Sequence, residues 1–289
     1  DYSYEVTAED CITKTGEFKV EGEAKTVTVT LDGVTGDGSA ARPFVIDSKE
    51  ALVYFAQQVN SSVKKYVEGH VKLSGDIDLQ NMSWTPIGPS WTSPFRGHFD
   101  GAGYTISGLN VTNARTYYGF FGCLDNAMVE KLTLKGQVYC AEPYARVGGL
   151  AGYAIGDVTI RNCGSAVNVS ALARGCEGVG GLVGGYEDGI DYRWEDHKMV
   201  IENAYNAGNV VCTGTDANAT IGGLVGGNKN CVQLKNCYNA GTVYGPGVQA
   251  AGLLGNAGWQ TGDNCKPSMK GCYNAGQVVG VEDKAFGLY

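Results

Sequence analysis

The sequence has only three histidines, at positions 70, 98 and 197. They are too scattered to form a metal cluster or to serve a Ser/His/Asp arrangement. No His-Glu-x-x-His phrase occurs, which excludes the catalytic part of a metallopeptidase built on that phrase, and no Cys-x-x-Cys or His-x-x-x-His spacing offers a zinc site. No apolar run is long enough to span a bilayer, and no cleavable signal peptide, twin-arginine signal or sorting motif is visible. A basic surplus is missing as well. With 22 Lys and Arg against 30 Asp and Glu, the net charge is -8, which argues against nucleic acid or an anionic membrane as the main partner because both require a positive face. Helical periodicity is confined to one segment, so the chain is not a helical protein.

Glycine is what the chain has in excess. There are 44 in 289 residues, far above the usual share of about 7% and without the three-residue period of collagen. The glycines anchor a recurring phrase: Gly148-Gly149-Leu150-Ala151-Gly152, Gly180-Gly181-Leu182-Val183-Gly184 and Gly222-Gly223-Leu224-Val225-Gly226, with looser copies at Tyr118–Gly122 and Ala251–Gly255. The copies begin at 118, 148, 180, 222 and 251, stepping by 30, 32, 42 and 29 residues, the spacing of a stacked repeat architecture. A second phrase keeps time with the first. It reads Ile201-Glu202-Asn203-Ala204-Tyr205-Asn206-Ala207-Gly208, then Leu234-Lys235-Asn236-Cys237-Tyr238-Asn239-Ala240-Gly241, then Met269-Lys270-Gly271-Cys272-Tyr273-Asn274-Ala275-Gly276, with partial copies around Ile160 and Val129.

Each period thus holds short apolar runs separated by Gly and Asn, residues that tolerate left-handed backbone and so turn corners. The expected fold is all-β, a parallel β-helix. Strand alternation places Ile160, Ile201, Leu234 and Met269 inside and Arg161, Glu202, Lys235 and Lys270 outside. If the following Asn turns a corner, Cys163, Ala204, Cys237 and Cys272 point back into the core, and the asparagines stack as a ladder about 4.8 Å apart.

These two phrases resemble the GLUG-motif repeat family of bacterial surface and secreted proteins. The run from Gly69 to Gly122, with Trp84-Thr85-Pro86-Ile87-Gly88 and Phe95-Arg96-Gly97-His98-Phe99-Asp100-Gly101, is similar to the lead-in that commonly precedes such repeats, so the resemblance covers about residues 37 to 289. It implies a right-handed β-helix serving as display rod, stalk or adhesin segment, sometimes inside IgA-specific metallopeptidases. It brings no catalytic residues.

In domain terms, residues 1–35 are expected to be a short β segment or the end of a preceding module, with strands at Phe18–Glu21 and Thr26–Leu31. Residues 36–289 are the β-helix. Asp47 with Glu50 gives a capping-box signature for a helix over about 48–63, whose face Leu52, Phe55, Ala56 and Val59 suits it to cover the open first coil. Long loops are expected at about 84–95, where three prolines and two tryptophans break the period, and at about 185–198. Opening at Asp1 without a methionine, the chain reads as a piece of a longer protein. The ten cysteines are read mostly as small reduced core residues, because stacked parallel positions suit disulfide geometry poorly; Cys231 with Cys265 is the first choice for a pair.

The insertion between the third and fourth repeats supplies the candidate ligand-binding residues Tyr186, Asp188, Asp191, Tyr192, Trp194, Glu195 and Asp196. Carboxylates beside aromatic rings are what a sugar or calcium loop uses, and paired acids also serve glycoside cleavage. Tyr205, Tyr238 and Tyr273 recur at one repeat position as an aromatic ladder, able to stack on sugars or to cover one another. No catalytic residue, cofactor or metal is assigned. The expected function is a non-catalytic stalk or adhesion module of a larger surface or secreted protein, monomeric, facing host glycan or extracellular protein, with its anchor outside this piece and no membrane insertion. The alternatives are a carbohydrate-active β-helix enzyme and an accessory segment of an IgA-protease-like metallopeptidase.

Overall fold

The computed structural model describes residues 1–22, 24–29, 31, 33–172, 177–187, 197–214, 219–228, 231–255, 267–281 and 285–286. Within them the chain is an all-β solenoid of about seven turns with two short helices. The first sheet has eight described strands, beginning at Phe44–Ile46, His70–Leu73 and His98–Asp100 and ending at Val232–Lys235 and Ser268–Lys270. The second runs from Ile77–Asp78 through Thr105–Val111, Thr133–Cys140 and Gly164–Ala171 to the paired short strands of the last three coils. A third sheet contains Arg146–Gly148 and Gly178–Gly180, and a fourth contains Ala151–Ile155 and Val183–Glu187. Every ladder within these four sheets is parallel, as stacking of one coil on the next requires.

The corner between the first two sheets is made by Asn162, Asn203 and Asn236, at φ of 54°, 51° and 52°. Their amides form a ladder, Asn203 donating to Asn162 at 3.2 Å and Asn236 to Asn203 at 3.1 Å. On either side of this corner the expected parity holds. Ile160, Ile201 and Leu234 are buried, and so are Cys163, Ala204 and Cys237. The glycine phrase forms the tight corner between the third and fourth sheets. Its leucines, Leu150, Leu182, Leu224 and Leu253, are all fully buried in file with Phe120. The glycines are required there because backbones meet: a Cβ on Gly226 would lie 2.1 Å from the amide nitrogen of Val179.

Helix α1, Lys49–Asn60, buries Ala51, Leu52, Phe55, Ala56 and Val59. Phe55 meets Phe95 and Phe99 edge to face, so the helix covers the apolar interior of the first coils. Its cap differs from the expectation. Ser48, not Asp47, is the N-cap, accepting from the amide of Ala51 at 3.2 Å, because the backbone is still extended at Ser48. A short second helix, α2, follows at Lys64–Val67.

Two further expectations are corrected. The N-terminal hairpin is built from Tyr2–Val6 and Lys14–Phe18, paired antiparallel, while residues 24–29 form no strand. The segment at 84–95 stays on the rod, since Trp84, Ile87 and Phe95 are buried and Ile87 and Phe95 bridge to the strand at 121–125. Trp84 also stacks on Phe120 at 5.3 Å and donates to its carbonyl, and within the segment Thr85 and the tip around Pro89, Trp91 and Thr92 are exposed. Among the cysteines, seven described ones are free thiols and Cys231 is disulfide-bonded. Cys265 lies outside the described residues.

Candidate functional site

The outer face of the second sheet, from Gly164 to Val279, repeats the same side-chain types from rung to rung. Tyr205, Tyr238 and Tyr273 stand in one file, with ring centroids 5.3 and 5.2 Å apart and planes within 10° and 6° of parallel. The ring of Tyr205 rests on Gly164 of the coil before it. Each ring therefore covers its neighbour along the file. Next along the strands come Ala166, Ala207, Ala240 and Ala275. Beyond them lies a polar file of Asn168, Asn209, Thr242 and Gln277. Asn168 Oδ1 accepts from the amide of Asn209 and Asn209 Oδ1 from that of Thr242, both at 3.1 Å. Ser170, Val211, Tyr244 and Val279 complete the face. None of these positions is charged.

The first sheet, one asparagine corner away, is the opposite. Its outward file reads Lys72, Asp100, Glu130, then Arg161, Glu202, Lys235 and Lys270. Glu130, with its side chain 5% exposed, is the hub. It accepts from Arg161 Nε at 2.8 Å and bonds His98 Nε2 at 2.9 Å, and Lys131 lies 3.6 Å away. Burial alone would push the carboxyl up, but the bonds from Arg161 and His98 hold it below the ordinary carboxylate value. His98 Nδ1 meets His70 Nδ1 at 3.3 Å, and burial, then the neighbouring ring, lowers the His70 pKa below 6.5. Glu202 and Lys235 form the next pair at 2.5 Å.

At the root of the long insertion, Arg146 lies nearly buried between Glu177 and Glu187, at 2.6 and 2.7 Å, and over the ring of Tyr153 at 4.1 Å. Tyr117 stacks on Tyr153, and Cys123 and Ile155 close this small outer cluster. Burial opposes the charge on Arg146, yet the surrounding Tyr153, Glu187 and Glu177 raise its pKa further. The cluster ties together Glu177, just before the strand at Gly178–Gly180, and Glu187, the last residue of the strand Val183–Glu187. Sequence reading missed it, since Arg146 and the two acids are far apart in the chain.

Tyr186 is not a ligand-binding residue on the surface. It is buried, with its hydroxyl donating to the carbonyl of Gly156 at 3.1 Å, because strand parity puts position 186 opposite Ala154 on the inward side. Asp188, Asp191, Tyr192, Trp194, Glu195 and Asp196 lie outside the described residues. His197, beyond them, bonds Asp157 at 3.0 Å. A cavity of about 390 Å³ lies beside α1, lined by Val53, Ala56, Asn60, Met82 and Trp84 among others. The Asn60 amide is already engaged with Pro86 and Gly88. The buried thiols are unreactive: burial pushes Cys163 up to about 12 and Cys237 up to about 11. Among the described residues no group of three or more His, Cys, Asp and Glu could hold a metal ion, and no helix is long and apolar enough to cross a membrane.

Comparisons place this architecture beside known proteins. Over 172 residues the chain is 33% identical to halomucin of Haloquadratum walsbyi, a match covering 54% of this chain and 2% of halomucin. Over 129 residues it is 34% identical to a "putative Gly-rich membrane protein" of Evansella cellulosilytica, covering 40% of this chain and 14% of that protein. The chain thus spans a small part of the length of these relatives. The crystal structure of "a putative immunoglobulin A1 protease from Bacteroides ovatus" superposes with a TM-score of 0.50 at 20% identity, over 86% of this chain and 80% of that one, a likeness of fold. No protein-family model matches the sequence.

Proposed function

We propose that the chain is a non-catalytic stalk and adhesion module of a larger cell-surface or secreted protein, presenting a binding face to a host glycan or an extracellular protein. The observation that carries this reading is the outer face of the second sheet, which holds a tyrosine, an alanine and a polar side chain in register over three successive rungs. A repeated, regular face of this kind offers many equivalent weak contacts, which suits adhesion more than turnover. Four of the described acids support the same reading. Glu130 with Arg161, Asp125 with Arg96, Glu187 with Arg146 and Glu202 with Lys235 are each held by a cation, whereas a glycoside hydrolase needs two carboxyls facing one groove about 5 to 10 Å apart. Both sequence relatives share a segment with chains far longer than this one, and one is described as a membrane protein, which fits a module within a surface protein.

The test is a screen of the 289-residue chain on glycan and extracellular-protein arrays, beside a variant lacking 188–196. Saturable binding by the intact chain is expected. Binding to neither array would leave a spacer without adhesive function and overturn the reading. Loss of binding only in the deletion variant would move the binding face to the insertion.

A further inference from the structure

Charge is distributed on this rod with a sharp boundary. In a chain with 22 basic and 30 acidic residues, the first sheet carries a charged side chain on each of the rungs at Arg161, Glu202, Lys235 and Lys270. One corner away, the exposed face of the second sheet carries none over the same four rungs. Exposed strand positions ordinarily accept charge at little cost, and charge on a regular parallel sheet guards it against self-association. A face kept neutral across four rungs therefore has a use for neutrality, and it fits a ligand that is itself uncharged. A uronate, sulfated or phosphorylated polymer would find no counter-charge there.

The relief of the face narrows the ligand class. Ala207, Ala240 and Ala275 form an exposed floor with nothing beyond Cβ. Asn168 and Asn209 spend Oδ1 on the backbone of the next rung, which leaves Nδ2 to donate outward. These two donors lie one rung, about 4.8 Å, apart, roughly the length of one sugar ring, and Thr242 and Gln277 continue the polar file on the next two rungs. On the other side of the floor the tyrosine file presents ring edges and hydroxyls, polar tips on apolar bodies. The flat floor lacks the deep pocket in which a protein partner's anchor residues would seat.

We propose that the outer face of the second sheet between Gly164 and Val279 binds a neutral polysaccharide, laid along the alanine file. This rests on the adhesion reading above and names its face and its ligand.

The experiment is affinity electrophoresis of the intact chain in gels containing mannan, arabinoxylan, amylose or soluble chitooligosaccharide, with polygalacturonate and heparin as charged comparisons. Ala240→Glu places a charge in the middle of the floor, Ala240→Ser is the control that keeps the floor small and uncharged, and Lys235→Ala alters the charged sheet instead. Thermal unfolding confirms that each variant folds. The expected result is retardation by at least one neutral polymer and by neither charged one, weakened at least tenfold in Ala240→Glu and unchanged in Ala240→Ser and Lys235→Ala. Equal binding by Ala240→Glu, or no retardation by any neutral polymer, overturns the proposal. A dimer in sedimentation that Ala240→Glu dissolves also overturns it, by showing that the face is covered by a second copy. If no neutral polymer binds but an extracellular protein does, this inference falls and the adhesion reading stands; if nothing binds, both fall.

Discussion

Asn206 donates through Nδ2 to Oδ1 of Asn239 at 2.8 Å, one rung away, in the middle of the core. Asn239 does the same to Asn274 at 2.8 Å, and each of the three amides also donates to the carbonyl of the glycine two residues on, at 2.7 Å. A buried amide would ordinarily be costly, but here each is satisfied by its copies, so the ladder works only if the coils are stacked in register.

Replacing Asn239 by Ala breaks both links and strands the carbonyl of Gly241. With about 1 to 3 kcal/mol for each buried group left unpaired, the expected loss is about 2 to 5 kcal/mol in urea denaturation. A loss under about 0.5 kcal/mol, the size of a surface substitution, would show that the ladder does not bear on stability.

Arg146 makes a second kind of long-range tie. Arg146→Ala leaves Glu187 with its ion-pair partner gone at a mostly buried site, and the expected cost is about 3 kcal/mol or more. Arg146→Lys should restore only part of it, because an ammonium cannot face two carboxylates and lie flat on Tyr153 together. Full rescue by Lys, read as melting temperature, would contradict the planar arrangement.

Acid should weaken the rod in two steps. Burial and the neighbouring His98 ring hold His70 in the folded state below the ordinary imidazole value of 6.5, so the unfolded chain binds more protons there; the contribution is intact above that pH and falls as pH drops below it. Glu130 is held below the ordinary glutamate value of 4.5, so its contribution is present above that value and is lost as pH falls through the lower folded one. Melting temperatures from about pH 7.5 to about pH 3 should show both steps. His70→Gln should remove the upper step only. An unchanged upper step in that variant would assign it to another group.

Much of this was legible in the residues because a repeat states its own parity. Once Ile201 faces in and Asn203 turns, Ala204 and Tyr205 have fixed sides, and the glycine-flanked leucines can only be core. The same rule, carried one residue past Tyr205, would have found the buried Asn206. Polarity hid it, since an isolated Asn reads as a surface or corner residue. Tyr186 misled in the opposite direction: its acidic and aromatic neighbours suggest a loop, but its strand pairs inward. The Arg146 cluster joins positions 146, 177 and 187 across coils, and no local spacing encodes such a contact.

The most direct measurement is to hold the intact chain on a neutral polysaccharide that retards it and to quantify new reducing ends over time. Retention with no rise above the protein-free blank is the expected result. A rise that scales with protein concentration would contradict the central claim and make the chain an enzyme.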